Sequence, residues 1–226
     1  MTFLALDTSG TYCVLALAED DGSVRAASLF QSRRTLSTRL LGEVDGLLTR
    51  NGLTLADMTA FAVGLGPGSF TGVRVGVTTA KTLAQVTGKP LVGVGTLDAY
   101  TTLLGGLNSP VVPILPSRRG EVYAAVCQDG AYLEAPFAAS LEALSERLAA
   151  LAHAVLCGET GLLTGWNGPA LPQPWTPPEG LAKIAARRLL NGDIDNPFSL
   201  VPLYIVAPMI STPKSAPAPS AGELGQ

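Results

Sequence analysis

Two short segments of the chain carry residue types that bind phosphate in many proteins. The first, Gly64-Leu-Gly-Pro-Gly-Ser-Phe-Thr-Gly-Val-Arg-Val-Gly76, is a glycine-rich loop that leads into a helical pattern, and backbone amides at a helix start can hold an anion. The second, Asp7-Thr8-Ser9, follows the first apolar run, where a carboxylate and hydroxyls could meet a metal-bound phosphate. The candidate nucleotide- or anion-binding residues are therefore Asp7, Thr8, Ser9, Gly66, Gly68 and Ser69.

Neither segment completes a known phosphate motif. No Gly-Lys-Ser/Thr follows the glycine-rich loop at Walker A spacing, and its glycines do not fit the dinucleotide fingerprint. The loop could instead be a tight turn that lets the helix approach the sheet. Asp7-Thr8-Ser9 could be a plain turn stabilised by Asx and Ser/Thr hydrogen bonds. Both alternatives stay open on the sequence.

Small residues line one face of the helix predicted over Phe70–Thr87. Gly72, Gly76, Ala80 and Leu83 recur at i, i+4, i+8 and i+11. Glycine inside a helix costs about 1 kcal/mol against alanine, so this face is expected to allow another helix to approach closely. That helix belongs either to the same chain or to an oligomer or partner protein.

Hydrophobic periodicity divides the chain into short strands and amphipathic helices. Strands followed by strand–helix units predict an α/β fold in which helices pack on mixed sheets. The predicted strands cover 2–6, 12–17, 23–30, 60–65, 91–94, 111–115, 121–127, 131–137, 154–157 and 200–206, and the predicted helices cover 35–50, 70–87, 96–104, 140–152 and 179–191.

Composition and charge argue against several classes of protein. One histidine, His153, and three scattered cysteines, Cys13, Cys127 and Cys157, do not supply a Cys/His metal site, and the thiols are predicted to be buried in the core. A net charge of −3 gives no basic footprint for independent RNA binding. The first residues lack the basic start of a signal peptide, and no apolar run is long enough for a bilayer, so a cytoplasmic protein is expected.

Four motifs resemble those of the TsaB (YeaZ) family. They are Leu4-Ala-Leu-Asp-Thr-Ser9, the run from Gly66 to Gly76, Gly93-Val-Gly-Thr-Leu-Asp98 and Arg119-Gly-Glu-Val-Tyr123. The resemblance covers most of the chain and is densest in its first half. It implies a two-lobed actin/sugar-kinase-like (RNase H-like) fold. Residues 1–104 are then expected to form the N-terminal lobe and 105–206 a smaller C-terminal lobe, with 207–226 as a disordered tail.

The resemblance also implies a function. Family members are expected to be noncatalytic scaffold subunits in threonylcarbamoyl transfer to the adenosine next to the tRNA anticodon. The catalytic paralogue, TsaD, would carry the metal and nucleotide, and a small ATPase, TsaE, would join the complex. This subunit would need no cofactor, would reach tRNA only through the complex and would be a homodimer when alone. Family members pair through the first two helices, which here implies an interface of Leu36, Leu40, Val44, Phe70, Gly72, Val73, Gly76, Ala80 and Leu83.

The chain departs from the family pattern at three positions. Leu36 stands where relatives often have histidine, Pro116 where many have aspartate, and Val206 where an arginine is common. Pro116 lies where a second acidic phosphate loop would open the second lobe, which disfavours the alternative function of a small-molecule kinase or ATPase. A peptidase is disfavoured by the single histidine, and an independent RNA binder by the acidic charge.

Overall fold

The computed structural model describes residues 1–31, 35–118 and 120–206, and within these ranges ten strands form two five-stranded sheets. The strands are β1 (Thr2–Asp7), β2 (Tyr12–Glu19), β3 (Val24–Gln31), β4 (Phe61–Gly64), β5 (Leu91–Val94), β6 (Val111–Pro116), β7 (Glu121–Gln128), β8 (Ala131–Ser140), β9 (Val155–Gly158) and β10 (Ala170–Pro172). The first sheet has the order β3-β2-β1-β4-β5 and the second β10-β9-β6-β7-β8. Each sheet contains both antiparallel and parallel pairs of neighbouring strands, so both sheets are mixed.

Helices cover the faces of both sheets. They are α1 (Leu36–Arg50), α2 (Phe70–Thr87), α3 (Thr96–Leu103), α4 (Leu141–Ala149) and α5 (Pro178–Leu190). One core cluster joins α1 and α2 to the first sheet, and a second joins α3 and α5 to its opposite face. The second sheet packs against α4 on one face and α3 on the other. No helix in the described ranges is long and apolar enough to span a bilayer.

Local sequence signals explain the bounds of α2. The Ser69 hydroxyl accepts a hydrogen bond from the Gly72 amide at 3.2 Å, which satisfies one of the free donors at the helix start. Gly88 ends the helix in the left-handed conformation at φ 67°, which glycine adopts without a steric penalty. The helix predicted over Phe70–Thr87 is confirmed.

The structure corrects two expectations about the second half. The strand predicted over Leu200–Val206 is wrong, because this segment has no strand and its backbone contact with the sheet region is a single hydrogen bond, Leu203 N to Leu65 O, of 2.8 Å. Pro202 has no amide to donate to a ladder. Conversely, β10 forms inside a proline-rich stretch where the sequence predicted no strand, and its three residues are too few to show a period of two.

The division into lobes by chain position needs one correction. Helix α5 falls in the 105–206 half, yet its side chains pack against the first sheet: Leu181, Ala182 and Ala185 share a buried cluster with Phe3 and Val92. The chain therefore crosses from the first sheet to the second through α3 and returns through the segment before α5. The tail expected over 207–226 lies outside the described residues.

Candidate functional site

The buried polar side chains of the described residues are gathered at one place. They belong to Asp7, Thr8, Ser9, Thr96 and Thr176, and each is at most 2% exposed. Three segments supply them: the end of β1 with the turn after it, the start of α3 and the segment that leads into α5. Buried polar groups are costly unless they are hydrogen-bonded, so their partners define what this cluster can do.

The Asp7 carboxylate is fully buried and hydrogen-bonded at both oxygens. Oδ1 accepts from the Ser9 amide at 2.7 Å, which is the Asx-turn alternative considered from the sequence. Oδ2 accepts from the Thr96 hydroxyl at 2.8 Å and from the Thr176 hydroxyl at 3.1 Å. Thr96 Oγ1 in turn accepts from the Gly66 amide at 3.1 Å. Both oxygens of the carboxylate therefore accept hydrogen bonds from other residues of the chain itself.

The glycine-rich loop is fixed to the same turn. The Ser69 amide donates to the Ser9 carbonyl at 2.7 Å, and the Thr8 hydroxyl donates to the Gly72 carbonyl at 2.7 Å. A Cβ at Gly72 would lie 2.1 Å from the Thr8 carbonyl oxygen, and one at Gly76 would lie 2.2 Å from Thr8 Oγ1. The glycines are therefore needed for close approach of α2 to β1, which supports the tight-turn alternative.

A cleft of about 640 Å³ lies between the two lobes. Of the candidate anion-binding residues, Ser9, Gly68 and Ser69 line it, whereas Asp7, Thr8 and Gly66 are buried and do not.

The rest of the cleft is lined from three parts of the chain. The first lobe contributes Phe70, and the C-terminal segment contributes Leu203, Tyr204 and Val206. The second lobe contributes Pro116, Ser117, Arg118 and Tyr123.

One hydroxyl of this cleft stands out. Ser117 Oγ is buried and has no hydrogen-bond partner among the described residues. No sequence signal pointed to this serine, because a serine in a turn is ordinarily solvated. Thr96 and Thr176 were also not predicted as site residues, because Thr96 begins the predicted helix 96–104 and Thr176 lies in a proline-rich stretch without periodicity.

The residues 196–206, here called the C-terminal strap, run along the outer face of α2. Lys81 Nζ donates to the Leu200 carbonyl at 2.9 Å, and Arg74 Nε donates to the Tyr204 hydroxyl at 2.9 Å. The Arg74 guanidinium also stacks 3.9 Å from the centre of the Phe70 ring, a favourable cation–π contact. The strap and the outer face of α2 therefore form one surface.

Comparison with known proteins gives concordant matches. The TsaD family model, tRNA N6-adenosine threonylcarbamoyltransferase, matches residues 31–154. The TsaB proteins of Bacillus subtilis and Escherichia coli, both described as tRNA threonylcarbamoyladenosine biosynthesis proteins, are 36% identical over 128 residues and 39% over 125. These alignments cover 57% and 54% of this chain, and span only about half of each relative, 56% and 53%. An uncharacterized Mycobacterium tuberculosis protein is 35% identical over 213 residues, or 92% of both chains.

The chain belongs to the TsaB (YeaZ) family. YeaZ from Pseudomonas aeruginosa superposes with a TM-score of 0.68 at 26% identity, covering 90% of this chain and 99% of that one. The ADPNP-bound activator of a Clostridium difficile dehydratase superposes at 0.54 with 11% identity, covering 87% and 99% respectively. At that identity the likeness shows the fold alone, and it confirms the actin-like architecture expected from the family motifs.

The interface residues that the family resemblance implied need correction. Phe70 is 39% exposed, but the other eight residues are buried in the chain's own core, where α1 and α2 pack on the first sheet. They cannot form an outer contact surface in this fold. The other exposed large apolar residues of the same helices are Leu41, at 56%, and Val86, at 81%. The buried residues are Leu36, Leu40, Val44, Gly72, Val73, Gly76, Ala80 and Leu83.

The three departures from the family pattern have different surroundings. Leu36 begins α1 and is buried in the first-lobe core, where an apolar side chain fits. Pro116 ends β6 and lines the cleft without a carboxylate, and Val206 lines the same cleft from the strap.

All three cysteines are buried, as the sequence predicted, and none of them forms a disulfide bond. Burial raises the pKa of the Cys157 thiol to about 12 and that of Cys127 to about 11, because a thiolate is poorly solvated there. His153 is exposed after α4. Among the described residues, no three His, Cys, Asp or Glu side chains are grouped so as to hold a metal ion.

Proposed function

We propose that this chain is a noncatalytic partner subunit in the biosynthesis of threonylcarbamoyladenosine in tRNA. The printed names of its TsaB relatives assign those proteins to that biosynthesis, and the family model that matches the chain is that of the transferase TsaD. In this proposal a TsaD-type paralogue performs the transfer and binds the metal and nucleotide, a TsaE-type ATPase joins the complex, and tRNA is contacted only through the complex.

The observation that carries the noncatalytic assignment is the burial of Asp7. An acidic residue at the end of the first strand is the group from which metal-phosphate chemistry was expected here. Its two oxygens instead accept hydrogen bonds from Ser9, Thr96 and Thr176, and the side chain is 0% exposed. Pro116 offers no second carboxylate on the opposite side of the cleft. These observations support a subunit that has the fold but no carboxylate available in the cleft for metal-phosphate chemistry.

The outer face of α1 and α2, together with the strap, is the surface we assign to the partner. It exposes Leu41 and Val86 on the helices and Phe198, Val201 and Tyr204 on the strap, with exposed fractions from 41% to 81%. Apolar groups exposed together on one surface are typical of protein–protein contacts. The same face would serve the homodimer when the paralogue is absent, because a twofold dimer uses one self-complementary patch.

The proposal is tested by reconstituting the modification reaction with and without this chain. The mixture contains the adenylate-forming enzyme, a TsaD-type protein, a TsaE-type ATPase, ATP, threonine, bicarbonate and substrate tRNA. Modified nucleoside is measured by mass spectrometry. Product that depends on this chain supports the proposal, and equal product after its omission contradicts it.

A second candidate function is that of a small-molecule kinase or ATPase, and the cleft of about 640 Å³ is the observation that favours it. A nucleotide would lie beside Ser69, Ser117 and Arg118. Calorimetry with ATP and ADP, followed by a turnover assay, distinguishes the candidates. The partner-subunit proposal predicts no turnover by the isolated chain, and steady ATP hydrolysis would favour the kinase-like function instead.

A further inference from the structure

The two lobes are joined by two crossing segments that meet at a single side chain. The chain leaves the first sheet through α3, which begins at Thr96, and returns to it through residues 173–177, which include Thr176. The hydroxyls of both threonines donate to the same oxygen of Asp7, at 2.8 Å and 3.1 Å. Asp7 itself ends the central strand of the first sheet, so one carboxylate ties that strand to both crossings.

Further contacts fix the return crossing against both lobes. The Tyr100 hydroxyl, on α3, donates to the Gln173 carbonyl at 3.2 Å, and the Gln173 amide donates to the Gly158 carbonyl of β9 at 2.8 Å. The ring of Trp175 meets that of Tyr12 edge to face, with centroids 6.1 Å apart. The crossing is therefore held by α3, by the first hairpin and by the second sheet.

A direct contact between side chains also joins the two lobes. The Thr11 hydroxyl, in the turn between β1 and β2, donates to Glu159 Oε1 at 2.9 Å, and Glu159 follows β9 in the second lobe. This pair is exposed, so it contributes less than the buried hydrogen bonds of Asp7, for which water is not an alternative partner.

We propose that Asp7, Thr96 and Thr176 form an interlobe lock that holds the two lobes in one relative orientation. Two-lobed proteins close and open where a few residues between the lobes change their backbone angles. Here both crossings donate a hydrogen bond to the same buried carboxylate, which loses one of these donors if either crossing moves. The lock is a property of the isolated chain, so its test does not depend on whether the proposed function is correct.

The decisive variant is Thr176→Val, with Thr176→Ser as its matched control. Valine keeps the shape of threonine but removes the hydroxyl donor, whereas serine keeps the donor. Spin labels at Thr49→Cys on α1 and Ala149→Cys on α4, both exposed positions, report the distance between the lobes by double electron–electron resonance. The native cysteines are buried and are expected to escape labelling.

The lock predicts one narrow distance distribution for the wild type, unchanged by millimolar ATP, and the same distribution for Thr176→Ser. In Thr176→Val the distribution broadens or shifts by more than about 2 Å. A broad or two-peaked wild-type distribution overturns the lock without any variant. An unchanged Thr176→Val distribution, or the same change in Thr176→Ser, also overturns it.

Hydrogen exchange of the unlabelled proteins gives a second measurement. The amides of Ser9 and Gly66 donate to Asp7 Oδ1 and Thr96 Oγ1. In Thr176→Val these amides should exchange about tenfold faster or more than in wild type and in Thr176→Ser, since the carboxylate that organises them has lost a donor. Equal exchange in all three proteins contradicts the lock.

Discussion

The two faces of α2 have opposite roles. The face toward the sheet carries Gly72, Gly76 and Ala80, which are buried and approach β1 so closely that added atoms would overlap it. The outer face carries Arg74 and Val86 and supports the strap. Small residues at helical spacing indicate close approach, but only the packing shows which neighbour is approached. Here the neighbour is Thr8, directly after the chain's own first strand, and not another helix, whereas the outer face is the surface that we propose for a partner.

The largest expected effect comes from the sheet-facing side. In Gly76→Ala the new Cβ would lie 2.2 Å from Thr8 Oγ1 and 3.3 Å from Leu6 Cδ1, so we expect the free energy of unfolding to fall by about 2–3 kcal/mol. Urea denaturation measures it. The control is Gly42→Ala on the exposed side of α1, where nothing lies within 4 Å of the added carbon, and a gain of about 0.5–1 kcal/mol is expected. Wild-type stability of Gly76→Ala would contradict the internal role.

The outer side should behave in the opposite way. Leu41→Glu and Val86→Glu place charges at exposed positions, so stability should change by less than about 0.5 kcal/mol. The affinity for the TsaD-type partner should fall about tenfold or more, because a charge at a contact must be desolvated. Light scattering and calorimetry measure both quantities. Leu133→Glu, at an equally exposed leucine on β8 of the second lobe, is the control and should bind normally; unchanged binding by both helix variants would exclude this surface.

A smaller effect is expected where the strap meets α2. Arg74→Met removes the donor to the Tyr204 hydroxyl and the charge over the Phe70 ring. An exposed hydrogen bond of this kind is worth at most about 1 kcal/mol, so the amide of Leu203, which donates to the Leu65 carbonyl, should exchange several-fold faster. Hydrogen-exchange mass spectrometry checks this, and Arg25→Met on β3 is a control that should leave the strap unchanged. Equal exchange of Leu203 in Arg74→Met would show that other contacts hold the strap.

The smallest effect concerns the buried thiols. Because burial raises the pKa of Cys127 to about 11 and that of Cys157 to about 12, at pH 8 only about one Cys127 side chain in a thousand is a thiolate, and fewer at Cys157. Their reaction with Ellman's reagent in the native protein should be slow at pH 8 and should accelerate as the pH rises toward these pKa values. Rapid reaction at pH 8 without denaturant would contradict their burial.

Local sequence signals predicted most of the fold. The serine cap and terminal glycine of α2 explain both of its ends, and short apolar runs bounded by turn residues located nearly all strands. The strand predicted over Leu200–Val206 failed because its apolar residues reflect packing on α2 and not pairing in a sheet.

The site was predicted less well than the fold. Asp7 and the glycine-rich loop were predicted as site residues from their residue types. The structure does bring them together, through Thr96, which donates to Asp7 and accepts from the Gly66 amide. Their partner Thr176 lies far along the chain in a segment without periodicity, so its contact with Asp7 follows only from the return of α5 to the first sheet. Because of this contact, we interpret Asp7 as a structural residue that joins three segments by hydrogen bonds, and not as a ligand of a metal-bound phosphate.

The central claim, that Asp7 organises the fold and performs no chemistry, is tested most directly by Asp7→Asn in the reconstituted modification reaction. Asparagine keeps the size of the side chain and one acceptor oxygen. The account predicts that product requires the chain, and that Asp7→Asn supports product in proportion to its folded fraction, measured by circular dichroism on the same sample. A well-folded Asp7→Asn protein that binds its partner yet yields no product would contradict it and assign Asp7 to the chemistry.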